Sequence, residues 1–153
     1  MNQNRVLVVD DEPDIRQLIG DILLDEGHQV DTADSVASAR LAMAAFKPDL
    51  ILLDVWLPDG DGVALLQEWQ EHGGTGGAPV VMISGHGTIE TAVSALKLGA
   101  YDFLEKPVSL AKLLTTVQRG FEHAALKREN QGLRARAAPP PPIGGSTAMQ
   151  ILR

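Results

Sequence analysis

The chain has 153 residues, no cysteine and a formal net charge of -7, with hydrophobic residues making up 44% of it. That length suits one ordinary domain with a short tail, and a cysteine-free chain has no disulfide, thiolate nucleophile or Cys-ligated zinc. No stretch approaches the ~20 apolar residues of a membrane span, the N-terminus lacks a signal peptide's apolar core and cleavage site, and the negative charge argues against nucleic-acid binding by this segment, so a soluble cytoplasmic domain is expected.

The first strand is predicted at Arg5–Val9, a short apolar run. Ile15, Leu18, Ile19, Ile22 and Leu23 then recur at spacings of three and four, the stripe of a first helix that Gly27 closes. A more polar second strand follows at Gln29–Ala33. Val36, Ala39, Leu41, Ala42 and Phe46 mark a second helix, which ends before Lys47-Pro48 because proline cannot continue it. Residues 50–53 form a nearly continuous apolar third strand, and Val63, Leu65, Leu66 and Trp69 a third helix, with Trp69 in the core. The run Gly73-Gly74-Thr75-Gly76-Gly77 precedes a strand, whereas phosphate-cradling loops follow a strand and open a helix, so it reads as a linker.

Residues 80–83 are the fourth strand, with Met82 in the core. Ile89, Ala92, Val93, Leu96 and Leu98 give a fourth helix, entered through Gly87-Thr88 and ended at Gly99. A fifth strand covers residues 101–104, and a fifth helix starts at the N-cap Ser109 and runs through Leu113, Leu114, Val117 and Phe121. Strands alternating with helices predict an α/β domain on a parallel sheet. The first, third and fourth strands, apolar on both faces, belong at its centre, and the second and fifth at its edges.

Beyond the fifth helix the segment 127–136 is charged and basic, with Leu126 and Leu133 one heptad apart. It reads as a solvated helix end, with a dimeric coiled coil as the competing reading. Four consecutive prolines, Pro139 to Pro142, impose an extended segment without a core and mark a domain boundary.

In a parallel sheet of this kind, ligands sit beyond the carboxyl ends of the strands, near the point where strand order reverses. Asp10 and Asp11 follow the first strand, Asp54 the third, Ser84 the fourth and Lys106 the fifth. Carboxylates gathered there repel unless a cation holds them, and Mg²⁺, which takes hard oxygen ligands and accepts phosphate oxygens, is the natural choice. The expected ligands are Asp11, Asp54 and the backbone carbonyl of Trp56, with Asp10 acting directly or through water. Asp54 would then be a carboxylate nucleophile toward a phosphoryl group, with Lys106 and the Ser84 hydroxyl each pairing with a phosphoryl oxygen. Any one of these residues alone reads as a loop cap or a turn. All of them at one sheet edge, in this order, do not.

The motifs Val8-Val9-Asp10-Asp11-Glu12-Pro13, Leu52 to Gly62 around Asp54, Val81 to Gly87 around Ser84, and Gly99 to Pro107 ending in Lys106-Pro107 together resemble the receiver family of response regulators, over roughly residues 4–122. The resemblance implies a doubly wound, flavodoxin-like fold with a five-stranded parallel sheet in the order 2-1-3-4-5, and a cis Lys106–Pro107 peptide. It also implies roles: Asp54 as phosphoacceptor, Asp10 and Asp11 as metal-binding acids, Ser84 as switch hydroxyl, Tyr101 as switch aromatic and Lys106 as the phosphate-pairing lysine. Tyr101 as a plain edge-strand aromatic is the competing reading. Trp56 reads either as a gate on water access or as a loop aromatic covering the crevice. His86 is a candidate for tuning hydrolysis, and His28, His72 and His123 read as surface residues.

Within that family, Ser84 to Ala92 and the Trp56 position look like regulators of the nitrogen-regulation type, NtrC and especially NtrX, and Ile143 to Gln150 looks like the opening of the AAA+ ATPase domain of sigma-54 activators. Neither a Walker A lysine nor a helix-turn-helix occurs before Arg153, so ATP hydrolysis and DNA binding are expected elsewhere in a longer regulator. The implied division is a receiver over 1–124, a helical extension and Pro-rich linker over 125–142, and the start of the ATPase domain over 143–153. The implied partners are a sensor histidine kinase, a second copy docked through the face of the fourth helix, fifth strand and fifth helix, and, for the full-length regulator, DNA and sigma-54 polymerase. The chain departs from the family in the glycine-rich loop at 73–77 and in Ser84, where threonine is commoner. Two other classes share the architecture. A phosphorylation-independent interaction module would keep the fold and lose the chemistry; a flavin-type cofactor binder would need a phosphate loop where Asp10-Asp11 stands.

Overall fold

All five predicted strands pair in parallel, and the apolar alternation along them decides which helices cover which face. The structure, a computed structural model, describes residues 4–72, 75, 77–85 and 87–137, with the backbone alone for 127–137. The elements are β1 (Arg5–Val9), α1 (Pro13–Asp25), β2 (Gln29–Ala33), α2 (Val36–Phe46), β3 (Leu50–Asp54), β4 (Trp56–Leu57), β5 (Gly60–Asp61), α3 (Gly62–Glu71), β6 (Val80–Ser84), α4 (Ile89–Lys97), β7 (Asp102–Glu105) and α5 (Leu110–Ala137). The main sheet has the order β2-β1-β3-β6-β7, while β4 and β5 form a separate antiparallel pair. With that short pair set aside, this is the doubly wound order 2-1-3-4-5.

Successive strand residues point to opposite faces, which sorts β1 cleanly. Val6 and Val8 join Ile19, Leu23, Leu113, Val117 and Phe121 under α1 and α5, whereas Leu7 and Val9 join Ala39, Leu66, Trp69 and Ala92 under α2, α3 and α4. Every residue of β3 and β6 is buried. Leu52 is fully buried, so truncating it to alanine would cost about 2–5 kcal/mol through lost transfer energy and the cavity left behind.

Local signals set the helix ends. Pro13 opens α1, where a missing N–H is harmless, and Gly27 (φ 90°) follows its end. Ser35 caps α2 by accepting from the Ser38 N–H, and Lys47 (φ 52°) stops it before Pro48. Asp61 caps α3 by accepting from the Val63 N–H at 2.8 Å, and Ser109 Oγ accepts from the Lys112 N–H at 3.2 Å. The helix beginning there continues through the basic segment to Ala137. The linker prolines and 143–153, with the expected start of an ATPase domain, lie outside the described residues. No helix among the described residues is long and apolar enough to cross a membrane.

Several expectations need correction. The third and fourth predicted strands each run one residue longer, taking in Asp54 and Ser84, and the fifth is shifted by one to Asp102–Glu105. Leu41 is 74% exposed, because it lies two residues, about 200°, round the helix from the buried Ala39. In α4 only Ala92 and Ala95 are buried, leaving Ile89, Val93 and Leu96 exposed. His28 is half-buried, its ring 4.9 Å from that of Phe121.

Candidate functional site

Strand register gathers the site. Val9 pairs with Leu53, Asp54 with Ile83 and Ser84 with Glu105, so the chain leaves β1, β3, β6 and β7 along one edge. Asp10 is the first residue beyond β1, Asp54 the last of β3, Ser84 the last of β6 and Lys106 the first beyond β7. Asp10, Asp54 and Ser84 are buried; Asp11 and Glu12 are exposed at the entrance to α1. One carboxylate oxygen from each of Asp10, Asp11, Glu12 and Asp54 lies within 4.8 Å of the others.

Among the described residues a single ammonium faces this cluster. Lys106 Nζ lies 3.2 Å from Asp10 Oδ2 and 3.3 Å from Asp54 Oδ2, and it donates to the Glu12 carboxylate. The Lys106–Pro107 peptide is cis. Asp10 Oδ1 accepts the Glu12 N–H at 2.9 Å, and the Asp10 carbonyl accepts from the Arg16 guanidinium at 2.7 Å. Asp10 Oδ2 is buried and has the Lys106 ion pair without hydrogen-bond geometry. Ser84 Oγ is likewise buried, with no hydrogen-bond partner among the described residues.

The charges are poorly compensated. Burial, and then the neighbouring charge of Asp10, push the Asp54 carboxyl up to about 7, against the pull of Lys106 and of the Trp56 N–H, which reaches Asp54 Oδ1 at 3.3 Å. For Lys106 burial works downward, but the hydrogen bond to Glu12 and the charges of Asp10 and Asp54 outweigh it and raise its pKa. Burying ionised groups is costly unless they are paired. Four carboxylates around one ammonium, with a buried oxygen lacking a hydrogen bond, fit a divalent cation with a preference for hard oxygen donors.

Further residues shape the crevice. Gly62 opens α3, and its N–H donates to the Val55 carbonyl at 2.6 Å; a Cβ there would stand 1.9 Å from the Asp54 carbonyl oxygen. Only glycine admits that approach. Asp59 reaches back to α2, its two oxygens accepting the Val36 N–H at 2.7 Å and the Ala37 N–H at 3.1 Å, and these bonds hold its pKa down. Thr88 Oγ1 accepts the Gly85 N–H at 2.8 Å, fixing the turn after Ser84. Trp56 is 57% exposed. Tyr101 is half-buried just before β7, packed at the edge of the α1/α5 core with its ring 4.9 Å from that of the exposed His123. His72 is exposed, and His86 lies outside the described residues.

Sequence reasoning reached Asp10, Asp11, Asp54, Ser84 and Lys106 and missed Glu12, Asp59 and Gly62 as contributors. Glu12, Asp59 and Gly62 all lie inside the quoted motifs, but none shows its contact in one sequence. Asp59 and Val36 are 23 residues apart.

The profile of the response regulator receiver domain matches residues 6–118. The chain belongs to the response regulator receiver domain family. This receiver is 46% identical over 151 residues to the nitrogen assimilation regulatory protein NtrX of Azorhizobium caulinodans, covering 97% of this chain and 33% of that protein. It also resembles the crystal structure of NtrX from Brucella abortus, with a TM-score of 0.82 at 47% identity over 95% of this chain and 32% of that one. The crystal structure of the receiver domain of NtrX from Brucella abortus matches with a TM-score of 0.71 at 50% identity, over 76% of this chain and 98% of the other. The chain thus spans about a third of the length of the curated relatives it matches.

Proposed function

We propose that this receiver accepts a phosphoryl group on Asp54 from the phosphohistidine of a sensor histidine kinase and so controls a sigma-54-type transcription activator. The observation that carries the reading is the gathering of four carboxylates and one ammonium at the carboxyl edge of the sheet. An Asp54 oxygen attacks phosphorus, the P–N bond breaks, and its electron pair leaves on the imidazole, which takes up a proton. Little proton transfer is asked of the receiver, so positioning and charge neutralisation carry the catalysis.

Asp11, Asp54 and the Trp56 carbonyl would hold Mg²⁺, with Asp10 acting directly or through water. When bound, the ion neutralises these carboxylates and one phosphoryl oxygen. Lys106 pairs with a second oxygen and the Ser84 hydroxyl with the third. Ser84 suits that task because its Oγ is buried and has no hydrogen-bond partner among the described residues to give up. The added charge draws Ser84 toward the phosphoryl group, and Tyr101 rotates into the space behind it. The face of α4, β7 and α5, where Ile89, Val93 and Leu96 are exposed, then docks a second copy. The names of the relatives support an NtrX-like role in nitrogen regulation for the whole protein, working in the cytoplasm with an AAA+ ATPase and a DNA-binding domain beyond this receiver.

Incubation with acetyl phosphate and Mg²⁺ tests this by intact mass. The expected result is a gain of one phosphate that disappears in Asp54→Asn and with EDTA. No gain in the wild-type protein would overturn the phosphoacceptor reading and favour a phosphorylation-independent interaction module.

A further inference from the structure

We propose that Glu12 is the releasable anchor of Lys106: it holds the lysine ammonium in the resting receiver and competes for it with an incoming phosphoryl group. The inference rests on the phosphoacceptor reading and gives Glu12 a role that reading does not assign to it. An ammonium has three N–H donors, and in the resting structure three carboxylates, those of Glu12, Asp10 and Asp54, face it. A phosphoryl oxygen is a fourth claimant, so one partner must withdraw.

Burial decides which. The Asp10 side chain is 0% exposed, so its carboxylate cannot turn away from the lysine into water. Asp54 carries the phosphoryl group itself and presents its oxygens to the same lysine. Glu12, with its side chain 55% exposed, can return to water at little cost. Helix chemistry agrees. Glu12 occupies the N-cap of α1 yet makes no side-chain capping bond, and glutamate is not among the residues favoured there. Its carboxylate is committed to Lys106 rather than to the helix.

Two opposite effects follow from removing this one charge. Metal affinity falls because the crevice becomes less negative. Affinity for a phosphoryl mimic at saturating metal rises, because Lys106 is freed and a repelling charge is gone. An unpaired unit charge a few ångströms away, partly screened by solvent, corresponds to about a three- to tenfold change.

The experiment titrates the full chain with Mg²⁺ and then, at saturating Mg²⁺, with beryllium fluoride, reading the fluorescence of the exposed Trp56; the other tryptophan, Trp69, is buried. Wild type, Glu12→Gln and Glu12→Ala are compared. Weaker Mg²⁺ binding together with tighter beryllium fluoride binding in both variants is the expected split, which a merely structural role of Glu12 would not produce. Beryllium fluoride affinity unchanged or reduced in the variants, with the wild type binding normally, overturns the anchor alone. A wild type that binds no beryllium fluoride overturns the phosphoacceptor reading beneath it.

Discussion

Two aspartates five positions apart in the chain show how placement decides what a carboxylate can do. Asp59 lies at the surface and accepts two backbone N–H groups at the start of α2, which lowers its pKa. Asp54, at the end of the central strand β3, is buried beside Asp10 and is pushed up to about 7. The first carboxylate is satisfied and fixes a helix; the second is left electrostatically uncomfortable, a cost that a bound cation would relieve. Stability and reactivity therefore draw on the same residue type through opposite environments.

The largest effect is expected at the junction between the two. In Gly62→Ala the new Cβ would meet the Asp54 carbonyl oxygen at 1.9 Å, backbone against side chain, with no flexible neighbour to give way. A loss of about 2–4 kcal/mol in urea unfolding is expected from such overpacking, together with loss of phosphorylation by acetyl phosphate. A variant as stable as the wild type would show that the Asp54–Gly62 turn is not the rigid support it is taken to be.

Next in size is Asp54→Asn in metal-free buffer. The folded pKa of Asp54, about 7, lies above the ~3.9 of an unfolded aspartate, so the folded state holds the proton more tightly. Its contribution is most favourable below pH ~4 and is lost as pH climbs toward 7. The asparagine variant should therefore be more stable than the wild type at pH 8 by about 1–3 kcal/mol, with the gain fading on acidification. Thermal melts across pH measure it, and saturating Mg²⁺ should shrink the gain by stabilising the wild type alone.

Asp59→Asn should show the opposite sign and a smaller size. A carboxylate with a lowered folded pKa contributes stability above its unfolded pKa and loses it as pH falls through the folded value. The variant is thus expected to be modestly less stable at neutral pH, to converge on the wild type in acid, and to be phosphorylated normally. A phosphorylation defect as large as that of Asp54→Asn would erase the distinction between the two aspartates.

Much of this was legible in the sequence, for identifiable reasons. Strands of a parallel sheet announce themselves by their short apolar runs, and a polar residue at the carboxyl end of such a run lies at that edge of the sheet whatever the rest of the chain does. Asp10, Asp54, Ser84 and Lys106 were readable on that ground. The pairing of Glu12 with Lys106, the reach of Asp59 to α2 and the backbone approach at Gly62 were not, because each is a contact across the fold with no periodic signature. Periodicity also misjudged Leu41 and the flanks of α4, where apolar residues exceed the narrow buried face built around Ala39, Ala92 and Ala95.

Calorimetric titration of the metal-free chain with Mg²⁺ tests most directly whether Asp10, Asp11 and Asp54 form one cation-dependent pocket. A single site filling by millimolar Mg²⁺, abolished in Asp11→Asn and sharply weakened in Asp10→Asn, is the expected result. No uptake at millimolar concentration, or uptake indifferent to both substitutions, would contradict it.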